Sequence, residues 1–466
     1  MEIKKIVALA LAVSSCVSML GACGKKTEEQ DGKINISISN WPDETNPNGQ
    51  ETHNKYLAEM NAKYPDVNVI PDYTVYADAK TFQMKAAADQ LPTMYKTGFT
   101  EVKQIIQQGY AKDITKIMEE RGLTDSLNPE LLDFSRGEDG KLYSFPLGAY
   151  LMSLTINKDL FKQAGLVNAD GSVKIPSTYQ EVAEYAKIIK EKTGVAGFAL
   201  ATTNNCGGWH FMNIAWSFGV DFMEQREDGT WEATFNTQEA RDALQYVKDL
   251  RWKYDVLPVD TAIKQADLHK LYGVNQAAMI LECTTNDYTQ KYGMDPKNIV
   301  MAKMPAGPAG RCVQMGGSVW MFSPSATDEE VNACFDWLEI TGVKAELDEA
   351  GFEKLKESHR ATIEQNGIVL EGKGAPLARW ADPERVEAEI AARAEVANVP
   401  LENCETYYDI SDVIIKAEEP RACQQLYAVL DGCIQEVIVN ENADVAKLIE
   451  IACNDFQVNH LDKIDY

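Results

Sequence analysis

The sequence predicts an α/β protein built from two lobes. A chain of 466 residues is too long for one hydrophobic core, because single cores stop growing near about 250 to 300 residues. Segments with strand and helix character alternate after residue 33, an order typical of α/β folds with largely parallel sheets. Beyond the amino terminus, no stretch stays apolar over the roughly 20 residues that a membrane-spanning helix needs.

The amino terminus predicts a secretory signal followed by a lipid anchor. Two lysines precede an apolar run, and small residues then lead to the tetrapeptide LGAC, which ends at Cys23. This tetrapeptide resembles the bacterial lipobox, which implies that Cys23 is acylated after removal of residues 1–22. Residues 23–33 are polar and lack aromatic side chains after the cysteine, as a flexible tether to the outer face of the cell membrane should.

The first elements of the body follow in the order strand, helix, strand. Residues 34–39 alternate apolar and polar side chains, which predicts a half-buried strand. Residues 53–64 carry apolar side chains at helical spacing until Pro65 ends the pattern. Residues 67–70 supply the next strand.

Later helices are predicted by capping residues and by apolar spacing. The segment from Asn157 to Asp159 can cap a helix over residues 160–164, and the segment from Pro176 to Thr178 can cap another over residues 179–192. Amphipathic patterns predict three more helices, at residues 240–254, 329–340 and 382–396.

Charge and cysteine content limit the classes of function. The net charge is −26, and removal of residues 1–22, which carry +1, leaves −27. Such an acidic surface repels phosphate backbones, which argues against nucleic-acid binding.

Eight cysteines follow the tether, an even number that permits disulfides in an exported protein. Several lie in apolar stretches and none forms a Cys-x-x-Cys pair, so we expect most to be free and buried.

Several phrases spread along the chain resemble one family. They are GYAKDIT from residue 109, DGKLYSFP from 139, LTINKDLFKQAGL from 154, PSTYQE from 176, FNTQEA from 235, QAAM from 276, MPAGP from 304 and GGS from 316. Together and in this order they resemble the family 1 bacterial extracellular solute-binding proteins, which include the maltose-binding protein.

The resemblance implies a type II periplasmic-binding-protein fold, in which two α/β lobes close on a solute like a hinged clamp. Crossing segments are implied near residues 148–155 and 299–303. The implied lobes comprise residues 34–150 with 300–345 (lobe 1) and 151–299 with 346–466 (lobe 2). The implied function is capture of a carbohydrate, in particular an oligosaccharide, and its delivery to the permease subunits of an ABC transporter. The resemblance further implies a monomer with no cofactor, no metal and no enzymatic activity.

Ligand-binding residues are expected among aromatic and polar side chains, because sugars offer apolar faces and a rim of hydroxyl groups. Trp41 follows the first strand, where open α/β sheets place their ligands. Asn205 and Trp209 lie in a polar, glycine-bearing segment, and Tyr95 lies in a loop after a proline. Each aromatic residue is equally a candidate for core packing. Further candidates are Gly317, Ser318, Trp320, Trp380, Tyr407 and Tyr408.

One departure from the family pattern follows the phrase QAAM. Where relatives commonly have Gly-x-Trp, this chain has Glu282 and Cys283 followed by two threonines, so the stacking tryptophan is absent. Glu282 is expected either to hydrogen-bond a ligand hydroxyl or to be a solvated edge residue. The identity of the sugar therefore stays open.

Two other classes of function also stay open. A binder of the same fold for a polyamine or a peptide would need an acidic cleft with aromatic residues, which the composition allows. A secreted glycoside hydrolase would need paired carboxylates. The five histidines are scattered, and the sequence contains neither His-Glu-x-x-His nor Gly-x-Ser-x-Gly.

Overall fold

The computed structural model describes residues 32–44, 46–76, 79–283 and 285–464. The signal, Cys23 and nearly all of the tether lie outside these ranges. Within them the chain is an α/β protein, as the sequence predicts. None of the described helices is long and apolar enough to cross a membrane.

The strands of the described chain are β1 (Ile34–Ile38), β2 (Val67–Pro71), β3 (Met94–Gly98), β4 (Ser144–Leu151), β5 (Ser153–Asn157), β6 (Met223–Gln225), β7 (Trp231–Ala233), β8 (Met279–Glu282), β9 (Ile299–Ala302), β10 (Arg311–Phe322) and β11 (Val413–Ala417).

The α-helices are α1 (Pro47–Lys63), α2 (Ala79–Ala87), α3 (Phe99–Gln107), α4 (Thr115–Glu120), α5 (Leu123–Ser126), α6 (Pro129–Asp133), α7 (Lys158–Ala164), α8 (Tyr179–Thr193), α9 (Cys206–Phe218), α10 (Gln238–Trp252), α11 (Gln265–Gly273), α12 (Asp287–Gln290), α13 (Asp328–Ile340), α14 (Glu349–Glu364), α15 (Pro383–Ala394), α16 (Glu405–Tyr408), α17 (Cys423–Val439) and α18 (Val445–Asn459).

The predicted helix caps are confirmed. The Asn157 side chain accepts a hydrogen bond from the N–H of Leu160 at 3.1 Å, and that of Thr178 accepts one from Glu181 at 3.2 Å. Helix α1 begins earlier than the apolar spacing predicts, because Asn46 caps it and a proline occupies its first turn. The eight cysteines of the described chain are free, and six of them are buried.

Lobe 1 is built on the sheet β2–β1–β3–β10. Strand β1 pairs in parallel with β2 and β3, and β3 pairs antiparallel with the second half of β10. One face of this sheet packs against α1, α4 and α13, with Met60 and Phe335 in that core. The other face packs against α2 and α3, with Phe82 and Ile105 in a second core.

Lobe 2 has the larger core, formed around the sheet β8–β5–β9 and helices α7 to α12, α17 and α18. Strand β5 pairs antiparallel with both of its neighbours. The predicted second crossing at residues 299–303 is therefore wrong. Strand β9 hydrogen-bonds to β5, and its side chains lie in the lobe 2 core.

Strands β4 and β10 make the two crossings and pair with each other. On β10, Val313 and Met315 lie in the lobe 2 core, whereas Val319 and Phe322 lie in lobe 1 cores. Residues 371–380 form a third connection, because Leu377 packs in lobe 2 and Trp380 in lobe 1. The chain thus returns to lobe 1 within β10 and not at residue 300. Trp380 packs in lobe 1, although residues 346–466 are predicted for lobe 2.

Candidate ligand-binding site

The carboxyl ends of β1 and β3 form one edge of the lobe 1 sheet. The hydroxyl group of Ser39, just after β1, accepts a hydrogen bond from the N–H of Lys96 at 2.9 Å. Helix α3 starts directly after β3 and carries Glu101 in its first turn. Open α/β sheets bind ligands at such an edge.

Lobe 2 presents a second edge of the same kind. Strand β8 ends at Glu282, and Ala199 pairs in parallel with Ile280, so the chain leading into α9 ends beside β8. Strand β5 enters lobe 2 at this edge, because its first residue, Ser153, pairs with Glu282. Trp209 lies at the start of α9, half-buried against the lobe 2 core. A solute held at both edges would lie over the crossing strands.

The crossing strands form a floor between the two edges. Tyr150 on β4 pairs with Gly316 on β10, and Met315 pairs with Ala417, the last residue of β11. Glu418 therefore follows β11 beside Gly316. A Cβ atom at Gly316 would lie 2.3 Å from the hydroxyl oxygen of Tyr150, so the phenol ring lies over the strand only because this residue is glycine.

Glu418 gives this floor a carboxylate with an unusual protonation equilibrium. The hydroxyl group of Tyr427 donates a hydrogen bond to Oε1 of Glu418 at 2.7 Å. Burial, together with the charge of Glu101, raises the pKa of Glu418 to about 7, against the lowering effect of that hydrogen bond. Burial also raises the pKa of Glu101. Carboxylates in such a place can accept hydrogen bonds from hydroxyl or amino groups of a solute.

Arg379 lies on the other side of β4, in the third connection. Its guanidinium group donates a hydrogen bond to the carbonyl oxygen of Leu147 and lies 4.0 Å from the position of a Cβ atom at Gly148. Burial lowers the pKa of Arg379 to about 10. The floor is thus acidic beside β11 and basic beside β4.

Three of the predicted aromatic ligands are packed inside the protein. Trp41 is 6% exposed and stacks on Trp337, with ring centroids 5.2 Å apart. Tyr95 is fully buried and donates a hydrogen bond to the carbonyl oxygen of Tyr110. Trp380 is buried in a lobe 1 core. These rings present no free face to a solute in this structure.

Glu282 is not a solvated edge residue, because it is 1% exposed. Its carboxylate accepts hydrogen bonds from Gln265 at 3.2 Å and from the N–H of Cys283 at 2.9 Å. The Nε2 atom of His269 lies 2.9 Å from the same carboxylate, and that of His210 lies 3.8 Å away. These contacts occupy Glu282 beneath the lobe 2 edge.

The segment around Asn205 and Trp209 is a helix start, whereas the sequence suggests a loop. Asn205 has a φ of 66° and precedes α9. The carboxylate of Asp431 on α17 accepts hydrogen bonds from the N–H groups of Asn205 and Gly208, both at 2.7 Å. The side chain of Asn205 donates to Gln424 at 3.2 Å. Trp209, in the first turn of α9, is half-buried at the lobe 2 edge.

The remaining predicted residues lie on or near the crossings. Gly317 and Ser318 are half-buried on β10, opposite Ala149 and Gly148 of β4. Trp320 is half-buried and packs against a lobe 1 core. Two neighbouring tyrosines use their hydroxyl groups to donate hydrogen bonds to the backbone. Tyr407 is buried and donates to the carbonyl oxygen of Leu151. Tyr408 is half-buried and donates to the carbonyl oxygen of Glu371.

The ligand-binding residues predicted from the sequence do not include Tyr150, Glu418 or Arg379. Glu418 is one of 71 acidic residues, and no local pattern distinguishes it. A usable signal exists for Tyr150, since it lies inside the predicted first crossing. For Arg379 the glycine-bearing stretch before it, EGKGAPLAR from residue 371, indicates an irregular connection.

The chain is similar to known binding proteins over most of its length. A binding protein of Brucella abortus is 24% identical over 314 residues, which cover 66% of this chain and 72% of that protein. The cyclic α-maltosyl-1,6-maltose binding protein from Arthrobacter globiformis is 22% identical, with a TM-score of 0.61 over 91% of this chain and 98% of the other. An ABC substrate-binding protein from Listeria monocytogenes in complex with cycloalternan is 18% identical, with a TM-score of 0.66 over 92% and 99% of the two chains.

At these identities the solved structures show the fold, which is the two-lobed fold of periplasmic substrate-binding proteins. The family of bacterial extracellular solute-binding proteins matches residues 46–340, more than half of the chain. The protein is therefore a member of the bacterial extracellular solute-binding proteins.

Proposed function

We propose that this protein captures a carbohydrate between its lobes and delivers it to the permease of an ABC transporter. The observation that carries the proposal is the floor of β4 and β10 between two sheet edges, with Tyr150 and Glu418 on it and Trp209 beside it. Aromatic faces and carboxylate acceptors are what a sugar ring and its hydroxyl groups require. The similar protein from Arthrobacter globiformis binds cyclic α-maltosyl-1,6-maltose, and the one from Listeria monocytogenes is in complex with cycloalternan, which agrees with this solute class.

The proposal includes binding without turnover. A solute-binding protein needs lobes that close on the solute and reopen at the permease, and the three connections between the lobes provide the hinge. Among the ligand-binding residues that the sequence predicts, this proposal retains Trp209, Gly317, Ser318 and Trp320, each of which is half-buried. A polyamine binder of the same fold is the second candidate, favoured by the carboxylates of Glu101 and Glu418.

The solute class is tested by thermal unfolding of residues 24–466 against mono- and oligosaccharides, amino acids, peptides and polyamines. A ligand that binds only the folded state at about 100 times its dissociation constant adds about 2.7 kcal/mol, which gives a clear shift in Tm. We expect a saccharide to give this shift and to be recovered unchanged. A shift with polyamines or peptides alone would reject the carbohydrate proposal, and conversion of the sugar would reject binding without turnover.

Trp209→Ala is expected to weaken binding of that saccharide about tenfold or more, because it removes an aromatic face at the lobe 2 edge. Isothermal titration calorimetry measures the change in the dissociation constant. Trp252→Ala is the matched control, since Trp252 lies at the end of α10 and its indole N–H donates to Val437 of α17. Equal losses of affinity in both variants would place the solute elsewhere.

The location of the protein rests on Cys23. We propose that this cysteine carries lipid and that residues 24–33 hold the body at the outer face of the cell membrane. Single acyl chains bind membranes weakly, at about 0.8 kcal/mol per buried methylene, so more than one chain is expected. Cys23→Ala should move the protein from the membrane fraction to the medium or periplasm. Retention of the variant in the membrane fraction would contradict the lipid anchor.

A further inference from the structure

A buried chain of hydrogen bonds orients Glu418. The backbone N–H of Gln314 donates to Oδ1 of Asn213 at 2.8 Å, which fixes the orientation of that amide because a backbone N–H can only donate. Nδ2 of Asn213 then faces Oε1 of Gln314 at 3.4 Å, and Nε2 of Gln314 donates to the hydroxyl group of Tyr427 at 3.0 Å. The Tyr427 proton is left to be donated to Oε1 of Glu418. This chain of hydrogen bonds therefore makes Oε1 of Glu418 a hydrogen-bond acceptor.

The side chains that interact with Glu418 in the described part of the chain are neutral or negative. Tyr427 and Cys423 face it from α17, Tyr150 from β4 and Glu101 from α3. Its neighbour Glu419 turns to the indole N–H of Trp216 instead, at 3.2 Å. Within the described ranges no lysine, arginine or histidine forms an ion pair with Glu418. Glu418 is half-buried, and a carboxylate partly withdrawn from water without a counter-ion is destabilised.

We propose that the solute carries a protonated amine and that Glu418 binds this amine on the floor of the cleft. The proposal rests on the carbohydrate-binding function above and narrows it to a saccharide that bears an amino group. A neutral hydroxyl group would donate one hydrogen bond and leave the carboxylate charge unbalanced. An ammonium group donates a hydrogen bond and balances the charge, and charge-assisted hydrogen bonds of this kind are about twice as strong as neutral ones.

Three trisaccharides of equal length test the proposal: those of glucosamine, N-acetylglucosamine and glucose. We expect isothermal titration calorimetry at pH 6, where the free amine is protonated, to show that the glucosamine trisaccharide binds at least tenfold more tightly than either of the other two. The pKa of Glu418 in the protein without ligand is about 7, so most of this carboxyl group is protonated at pH 6. Binding of an ammonium group favours the carboxylate and should therefore release about one proton. Titration in two buffers of different ionisation enthalpy measures that release.

Glu418→Gln keeps the shape of the side chain and removes its charge. We expect this variant to lose both the preference for the amine and the proton release. Glu419→Gln is the matched control, because Glu419 is an adjacent carboxylate with its pKa also raised by burial to about 7 but with Trp216 as its partner. It should keep both properties. Thermal unfolding of the two variants verifies that each is folded.

Tyr427→Phe tests the orienting role of the hydrogen-bond chain. It should weaken binding of the glucosamine trisaccharide while leaving the proton release in place, since Glu418 still titrates. A loss of affinity that is equal for all three trisaccharides would show a structural effect and reject a positioning role for Tyr427.

The remaining outcomes separate this inference from the proposed function. Tighter binding of the glucose or N-acetylglucosamine trisaccharide would overturn the inference and leave carbohydrate binding in place. An amine preference that survives Glu418→Gln would overturn the assignment to Glu418. Binding of spermidine with no binding of any saccharide would overturn both proposals.

Discussion

Gly208→Ala is expected to lower the free energy of unfolding of lobe 2 by about 3 kcal/mol. A Cβ atom at Gly208 would lie 2.4 Å from the carbonyl oxygen and 2.5 Å from the Cα atom of Tyr427. These are backbone atoms, so no rotamer change relieves the clash, and helices α9 and α17 must separate. The separation would also stretch the 2.7 Å hydrogen bond from the N–H of Gly208 to Asp431. Urea denaturation followed by circular dichroism measures the loss.

Gly432→Ala is the matched control on α17. A Cβ atom at Gly432 would meet no atom within 4 Å. Alanine is a better helix residue than glycine by about 1 kcal/mol, so this variant should be as stable as the parent or slightly more stable. If Gly208→Ala unfolds at the same urea concentration as Gly432→Ala, the close contact between α9 and α17 contributes nothing to stability.

Local signals were sufficient to predict most elements of the fold. Asn157 and Thr178 act as helix caps because their side chains reach N–H groups three residues ahead, a relation contained within four residues of sequence. The same local reasoning fails at residues 204–208. Two asparagines and two glycines have the composition of a turn, whereas these glycines allow α17, more than 200 residues later, to approach α9.

Contacts between distant segments explain the other errors. Trp41 follows a strand end as predicted, but Trp337 of α13 covers its ring. Strand β9 has the apolar character of a crossing strand, and only its partner β5 shows that it belongs to lobe 2. Glu418 becomes a candidate ligand through Tyr427 and Gly316, neither of which is its neighbour in sequence.

Glu282→Gln is expected to destabilise the protein by about 3 kcal/mol near pH 6. Burial alone would raise the pKa of Glu282, but the hydrogen bond from His269 and the charge of that imidazolium outweigh it, so this pKa lies below its usual range. Burial alone would lower the pKa of His269, but its contacts with Glu282 and Asp287 raise it. The two shifts indicate a buried ion pair beneath the lobe 2 edge.

The pH dependence follows from the direction of each shift. The stabilisation from Glu282 is present above the unfolded pKa of glutamate and is lost as the pH falls through its lower folded pKa. The stabilisation from His269 is present below the unfolded pKa of histidine, about 6.5, and is lost as the pH rises through its higher folded pKa. The destabilisation by Glu282→Gln should therefore be largest between about pH 4.5 and 6.5 and clearly smaller at pH 9, where a neutral His269 donates only a hydrogen bond.

Asp287→Asn separates this pair from the other contact of His269. The Asp287 carboxylate lies 3.2 Å from Nδ1 of His269, but its side chain is 24% exposed and also pairs with Lys291. Because solvent screens this contact, we expect a loss of about 1 kcal/mol or less. Urea denaturation at pH 6 and pH 9 measures both variants. A Glu282→Gln variant more stable than the parent would mean that desolvation of the carboxylate outweighs its attraction to His269, and an equal loss at both pH values would mean that His269 is neutral throughout.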